Sequence, residues 1–171
     1  MSRGRHIPSL FTLGNLVFGV FALVLALGEQ YNRGALMILM AGVMDFLDGK
    51  VARKLQVSSD FGKELDSLAD LVSFGVAPAI LAYALNLSDL GYMGLGISLA
   101  FVMCGALRLA RFNVTTFSGS FMGVPITAAG AIVAILVLIT NNQLPLPVLA
   151  LPLVMLLLSG LMVSKLKVPK F

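Results

Sequence analysis

A chain of 171 residues is one domain by length, and 58% hydrophobic against 12% charged residues excludes an ordinary water-soluble globule, where charged residues run near a quarter. Mean hydropathy is +0.98 and net charge +4, so the chain reads as a basic membrane protein. A role in nucleic-acid binding is excluded, because no soluble basic surface is left to carry it. The lone Cys104 sits in an apolar run, cannot form an intrachain disulfide, and is expected to be a small core residue.

Six apolar segments follow in chain order, each near the roughly 20 residues a spanning helix needs. The first, Pro8–Gly28, follows the basic start SRGRH. It is too long for the apolar part of a cleavable signal and lacks a small-residue cleavage site. The second, Gly34–Lys54, carries MDFLDGKVARK, and the third, Gly62–Asn86, begins GKELDSLADLVSF. Gly91–Asn113 ends in LRLARFN; Gly123–Thr140 and Pro145–Ser164 complete the set. The connections EQYNR, LQVSSDF, LSDL, VTTFSGSFM and NNQL are short and edged by turn-forming residues. The expected fold is an all-α integral membrane protein of six transmembrane helices, a single domain over residues 1–171 with no soluble second domain.

Six spans put both termini on one side, with the second-to-third and fourth-to-fifth connections. That side collects Arg3, Arg5, Lys50, Arg53, Lys54, Lys63, Arg108, Arg111, Lys165, Lys167 and Lys170, leaving Arg33 opposite. The positive-inside rule makes that side cytoplasmic. Lys165, Lys167 and Lys170 are expected to anchor to anionic lipid, and His6 to lie at the surface.

Asp45, Asp48, Asp66 and Asp70 interrupt the second and third segments. A carboxylate in hydrocarbon costs several kcal/mol and usually has a partner and a function. One Arg and three Lys nearby cannot neutralise four acids, and the simplest common partner is a divalent cation with its preference for oxygen ligands. Spacings of i,i+3 and i,i+4 put both carboxylates of each helix on one face. Counted from the cytoplasmic loop, Asp48 and Asp66 lie about 9 Å in and Asp45 and Asp70 about 14 Å in, near the depth of lipid phosphates.

Gly49 and Ala52 share the stripe of Asp45 and Asp48, and Gly62 precedes Asp66 by one turn. Small residues there either admit a ligand or serve ordinary helix packing in membranes. Arg53 adds a cation suited to phosphate. The whole pattern is D-x-x-D-G-x-x-A-R, eight residues, then G-x-x-x-D-x-x-x-D.

That pattern resembles the signature of the CDP-alcohol phosphatidyltransferases at Asp45, Asp48, Gly49, Ala52, Arg53, Gly62, Asp66 and Asp70. PSLFTLGNLVFG, SLADLVSFGVAPA, LRLARFNV and LMVSKLKVPKF are similar to the integral-membrane phosphatidylserine synthases within that family. The resemblance implies a homodimer of six-helix protomers with a cavity opening to the cytoplasm. It also implies two divalent cations, Mg2+ or Mn2+, on Asp45, Asp48, Asp66 and Asp70, and replacement of CMP on a CDP-lipid by the hydroxyl of L-serine. Gly49, Ala52 and Gly62 would form the cytidine slot and Arg53 would assist with the phosphates.

Asp70 is the expected general base toward the serine hydroxyl, a poor nucleophile when free. Thr12 and Asn15, one turn apart near the cytoplasmic end of the first segment, either hydrogen-bond the nucleotide diphosphate or Asp45, or make interhelical polar contacts. Arg108 and Arg111, at i,i+3 and followed by Asn113, are read as the serine carboxylate site; one arginine could serve the diphosphate, or both could snorkel as topology anchors. The competing acceptors are glycerol 3-phosphate and inositol phosphate, which would call for a larger basic cluster. A cation or proton transporter is the competing class, but it would place its acids near the bilayer midplane. The lipid tails are open between ester-linked acyl and ether-linked isoprenoid chains.

Overall fold

A computed structural model gives the fold and describes residues 7–55, 59–114, 121–142, 147, 149–164 and 167–168. Among the described residues the regular structure is helical apart from a two-residue antiparallel ribbon in which Phe121–Met122 (β1) pairs with Lys167–Val168 (β2). The six helices are α1 (Ile7–Leu27), α2 (Tyr31–Leu55), α3 (Asp60–Leu85), α4 (Tyr92–Val114), α5 (Ile126–Asn141) and α6 (Ala150–Val163). Three of them, α1, α3 and α4, are long and apolar enough to cross a membrane by themselves. The 25 residues of α2 rise about 37 Å, also enough to span, but carry the acidic and basic residues of the motif. Arg3, Arg5, His6, Lys165 and Lys170 lie outside the described residues.

Local chemistry accounts for the boundaries. Glu29, with φ of 56°, ends α1: its N–H donates to Ala26 O, and the Gln30 N–H donates to Leu25 O. These two bonds satisfy carbonyls of the last turn that otherwise lack partners. Ser59 caps α3, its hydroxyl accepting from Gly62 N at 3.0 Å. Gly91 turns the chain into α4 at φ 55°, a conformation that favours glycine.

The last two helices are shorter than the segments expected from hydropathy, with 16 residues in α5 and 14 in α6. Prolines explain the late starts. Pro125 is the N-cap of α5, and α6 begins only after Pro147, whose carbonyl accepts from Ala150 N at 2.7 Å. A proline has no N–H to continue a helix and is tolerated at its first turn.

Helix α3 is central, packing against α1, α2, α4 and α5; α1 lies along α2, and α4 along α6. After Asp70 its hydrogen bonding loosens into a π-helical turn over Leu71–Val76, then returns to α-helix at Ala77. The turn is clamped from two sides. A Cβ on Gly19 of α1 would stand 2.8 Å from the Ser73 Cα, and one on Gly130 of α5 2.6 Å from the Phe74 carbonyl oxygen. Phe74 is fully buried at this crossing. Outward, α1 exposes Leu10, Leu13, Val17, Phe21 and Val24, a surface suited to lipid tails rather than water.

Candidate functional site: an acidic cluster beneath α1

The motif aspartates come from α2 and α3, and the structure brings Asp45, Asp66 and Asp70 together. One carboxylate oxygen from each lies within 4.8 Å of the others. Asp45 and Asp66 are half-buried and Asp70 is buried. The fourth acid, Asp48, is also buried but stands outside that group and accepts a hydrogen bond from the Thr12 hydroxyl.

Helix α1 is the second layer of the site. Asn15, fully buried, donates from Nδ2 to Asp70 Oδ1 at 3.0 Å. Its backbone carbonyl accepts from Ser73 Oγ at 3.0 Å, which ties α1 to the π-helical turn directly after Asp70. Thr12 and Asn15 thus pair with Asp48 and Asp70, whereas Asp45 was their expected protein partner. The difference is one of helix rotation: α1 faces α3 as well as α2, and one turn of α1 reaches from one helix to the other.

The donor set fits a divalent cation. It is all oxygen, the three carboxylates converge, and the ion pair formed among the described residues, Lys63–Asp60, lies outside the cluster. Asn15 Oδ1 is buried beside Asp70 with no hydrogen-bond partner, a spare oxygen next to the acids. Hard cations of this kind take several oxygen ligands.

The residues expected to form the nucleotide slot lie on the C-terminal half of α2 and at the start of α3. Gly49 is exposed, and a Cβ there would meet nothing within 4 Å, so packing does not require the glycine. Gly62 is partly buried beside its capping Ser59. Arg53 is exposed, its Nε donating to Gly49 O at 3.0 Å, and Ala52 lies one residue before it on α2.

The two α4 arginines part company. Arg108 is half-buried, within electrostatic reach of Asp70, and its Nε is buried without a hydrogen-bond partner. Arg111 is exposed, and its Nη1 donates to Val163 O at 3.2 Å, binding the C-terminal end of α6. Asn113 is exposed and turns to α3, where it contacts Glu64 and Ser67. Glu64 and Ser67 were not singled out in the sequence. Their only signal there is helical spacing, since positions 64, 67 and 70 form one i,i+3 stripe ending at Asp70.

Comparison with known proteins points the same way. The family model described as CDP-alcohol phosphatidyltransferase matches residues 5–163. The chain is similar to a CDP-diacylglycerol–serine O-phosphatidyltransferase of Bacillus subtilis, 42% identical over 168 residues, covering 98% of this chain and 92% of that protein. It is also similar to an enzyme of the same name from Helicobacter pylori (strain 26695), 40% identical over 138 residues, 79% of this chain and 58% of that one. An archaetidylserine synthase of Methanothermobacter thermautotrophicus is 39% identical over 132 residues, 75% of this chain and 56% of that one.

Proposed function

The chain belongs to the CDP-alcohol phosphatidyltransferase family, and from that premise we propose that it transfers the lipid phosphate of a CDP-linked lipid to the hydroxyl of L-serine, releasing CMP. The observation that carries this is the convergence of the Asp45, Asp66 and Asp70 oxygens within 4.8 Å of one another, beside an open glycine at position 49. The names of its relatives support serine as acceptor and either diacylglycerol or archaeal lipid as the tail.

Asp45, Asp66 and Asp70 would hold two divalent cations, Mg2+ or Mn2+, with Asp48, oriented by Thr12, as the fourth acid. When bound, such cations neutralise the diphosphate and stabilise the departing phosphate of CMP. The chain's own residues do the rest. Gly49, where a Cβ would meet nothing within 4 Å, would form the cytidine slot with Ala52 and Gly62, and Arg53 would supply a cation to the diphosphate. Asp70, held in orientation by the Asn15 amide, takes the proton from the serine hydroxyl as the new P–O bond forms and the bond to CMP breaks. Arg108, whose Nε lacks a protein partner, receives the serine carboxylate. Arg111 secures α6.

The protein would lie in the cell membrane as six spans, one domain over residues 1–171, with the acidic cluster and both termini cytoplasmic, among anionic lipids and as a homodimer. The test is purified protein with CDP-diacylglycerol and L-serine, glycerol 3-phosphate or inositol phosphate in turn, following CMP and the lipid product. CMP release with serine alone, matched by a lipid bearing a serine headgroup, is the expected result. Release that needs a phosphorylated alcohol contradicts it.

A further inference from the structure

Serine carries a charged amine as well as the carboxylate and hydroxyl, and none of the motif residues offers the amine a dedicated receptor. Helix α3 does. Glu64, Ser67 and Asp70 form one stripe, rising about 4.5 Å per step toward the loop end of the helix. Asn113 of α4 reaches across to that stripe. Its Nδ2 donates to Glu64 Oε1 at 3.3 Å and lies 3.1 Å from Ser67 Oγ, while its Oδ1 lies 3.2 Å from the same hydroxyl. One amide thus contacts both Glu64 and Ser67, the latter one turn from Asp70.

The environment of Glu64 differs from that of the other acid at this end of α3. Asp60 is paired with Lys63 at 3.5 Å, whereas among the described residues Glu64 has an amide and no cation for its carboxylate. Asn113 also sits five residues beyond Arg108 on α4, about 7.5 Å along the axis. Arg108 lies within electrostatic reach of Asp70, and Glu64 stands two steps along the α3 stripe that ends at Asp70, so a cation and an acid both neighbour Asp70, as the two charges of an α-amino acid require.

Resting on the serine reading above, we propose that Glu64, oriented by Asn113 and Ser67, receives the ammonium group of the acceptor and so selects amino-alcohols from other small alcohols. A carboxylate with an ammonium makes a charge-assisted hydrogen bond, roughly twice as strong as a neutral one. Glutamine keeps the shape and the Asn113 contact but removes the charge.

The experiment compares CMP release with L-serine and with 3-hydroxypropanoate, which is serine without its amine, in wild type, Glu64→Gln and Glu64→Asp. Wild type should favour serine. Glu64→Gln should raise the KM for serine at least ten-fold, leave the KM for CDP-diacylglycerol within two-fold, and shrink the serine preference in kcat/KM by ten-fold or more. Glu64→Asp should recover most of the preference. An unchanged preference in Glu64→Gln overturns the assignment, since a purely structural loss lowers both acceptors alike. Inactivity of both variants toward both acceptors, with CDP-diacylglycerol binding intact, overturns it equally. A wild-type enzyme that releases no CMP with serine but does so with another alcohol overturns the serine reading itself.

Discussion

In the proposed reaction, Asp70 is the side chain on which the chemistry turns. It is buried, shares the three-carboxylate cluster, and has one oxygen held by Asn15. Asp70→Asn keeps the size and the neighbour but cannot accept the acceptor's proton. Turnover should fall by at least a hundred-fold, within the range a positioned base supplies, while CDP-lipid binding, measured by equilibrium titration, changes far less. Near-native turnover would assign the base to another group. Much of this residue's surroundings was legible in the sequence, because i,i+3 and i,i+4 spacings fix which acids share a helix face. The choice of partner was not. Thr12 and Asn15 could be seen as polar groups near the acids, yet only the rotation of α1 against α2 and α3 decides that they meet Asp48 and Asp70. Arg108 and Arg111 shared one predicted stripe but diverge, because α4 packs on both α3 and α6 and the stripe straddles the two contacts.

At the scale of elements, the π-helical turn over Leu71–Val76 is what joins the acidic cluster to the bundle core. Such turns are frequent at functional sites. Here the widened backbone presents Ser73 to the Asn15 carbonyl and lays Phe74 against Gly130. Gly130→Val would force a side chain into the Phe74 backbone, 2.6 Å from the new Cβ. Overpacking of this kind costs about 1–3 kcal/mol, and a lowered Tm in detergent is expected. Gly49→Val provides the contrast. Its Cβ meets nothing within 4 Å, so Tm should hold while the KM for CDP-lipid rises several-fold. Equal loss of Tm in both variants would contradict the distinction between a packing glycine and a ligand glycine. Hydropathy located all six helices to within a few residues at most ends, because apolar length is what the membrane demands. It overran the starts of α5 and α6, where prolines outweigh hydropathy, and it gave no hint of the π-helical turn, which has no residue signature.

For the molecule as a whole, the charge asymmetry places Arg33 at the α1–α2 end and the remaining described basic residues toward the acidic cluster. That asymmetry predicts a topology. In a Cys104→Ser background, Gln30→Cys should react with a membrane-impermeant maleimide in intact cells, and Lys63→Cys only after permeabilisation. The reverse pattern would put the cluster on the wrong side for a nucleotide substrate. The central claim is that lipid-phosphate transfer happens at the oxygen cage of Asp45, Asp66 and Asp70 with divalent cations in it. The most direct measurement is CMP release from CDP-diacylglycerol and L-serine by purified protein in excess chelator, followed by addition of Mg2+ or Mn2+. No release in chelator, recovery with either cation, and no recovery in Asp66→Asn is the predicted result; undiminished release in excess chelator would contradict it.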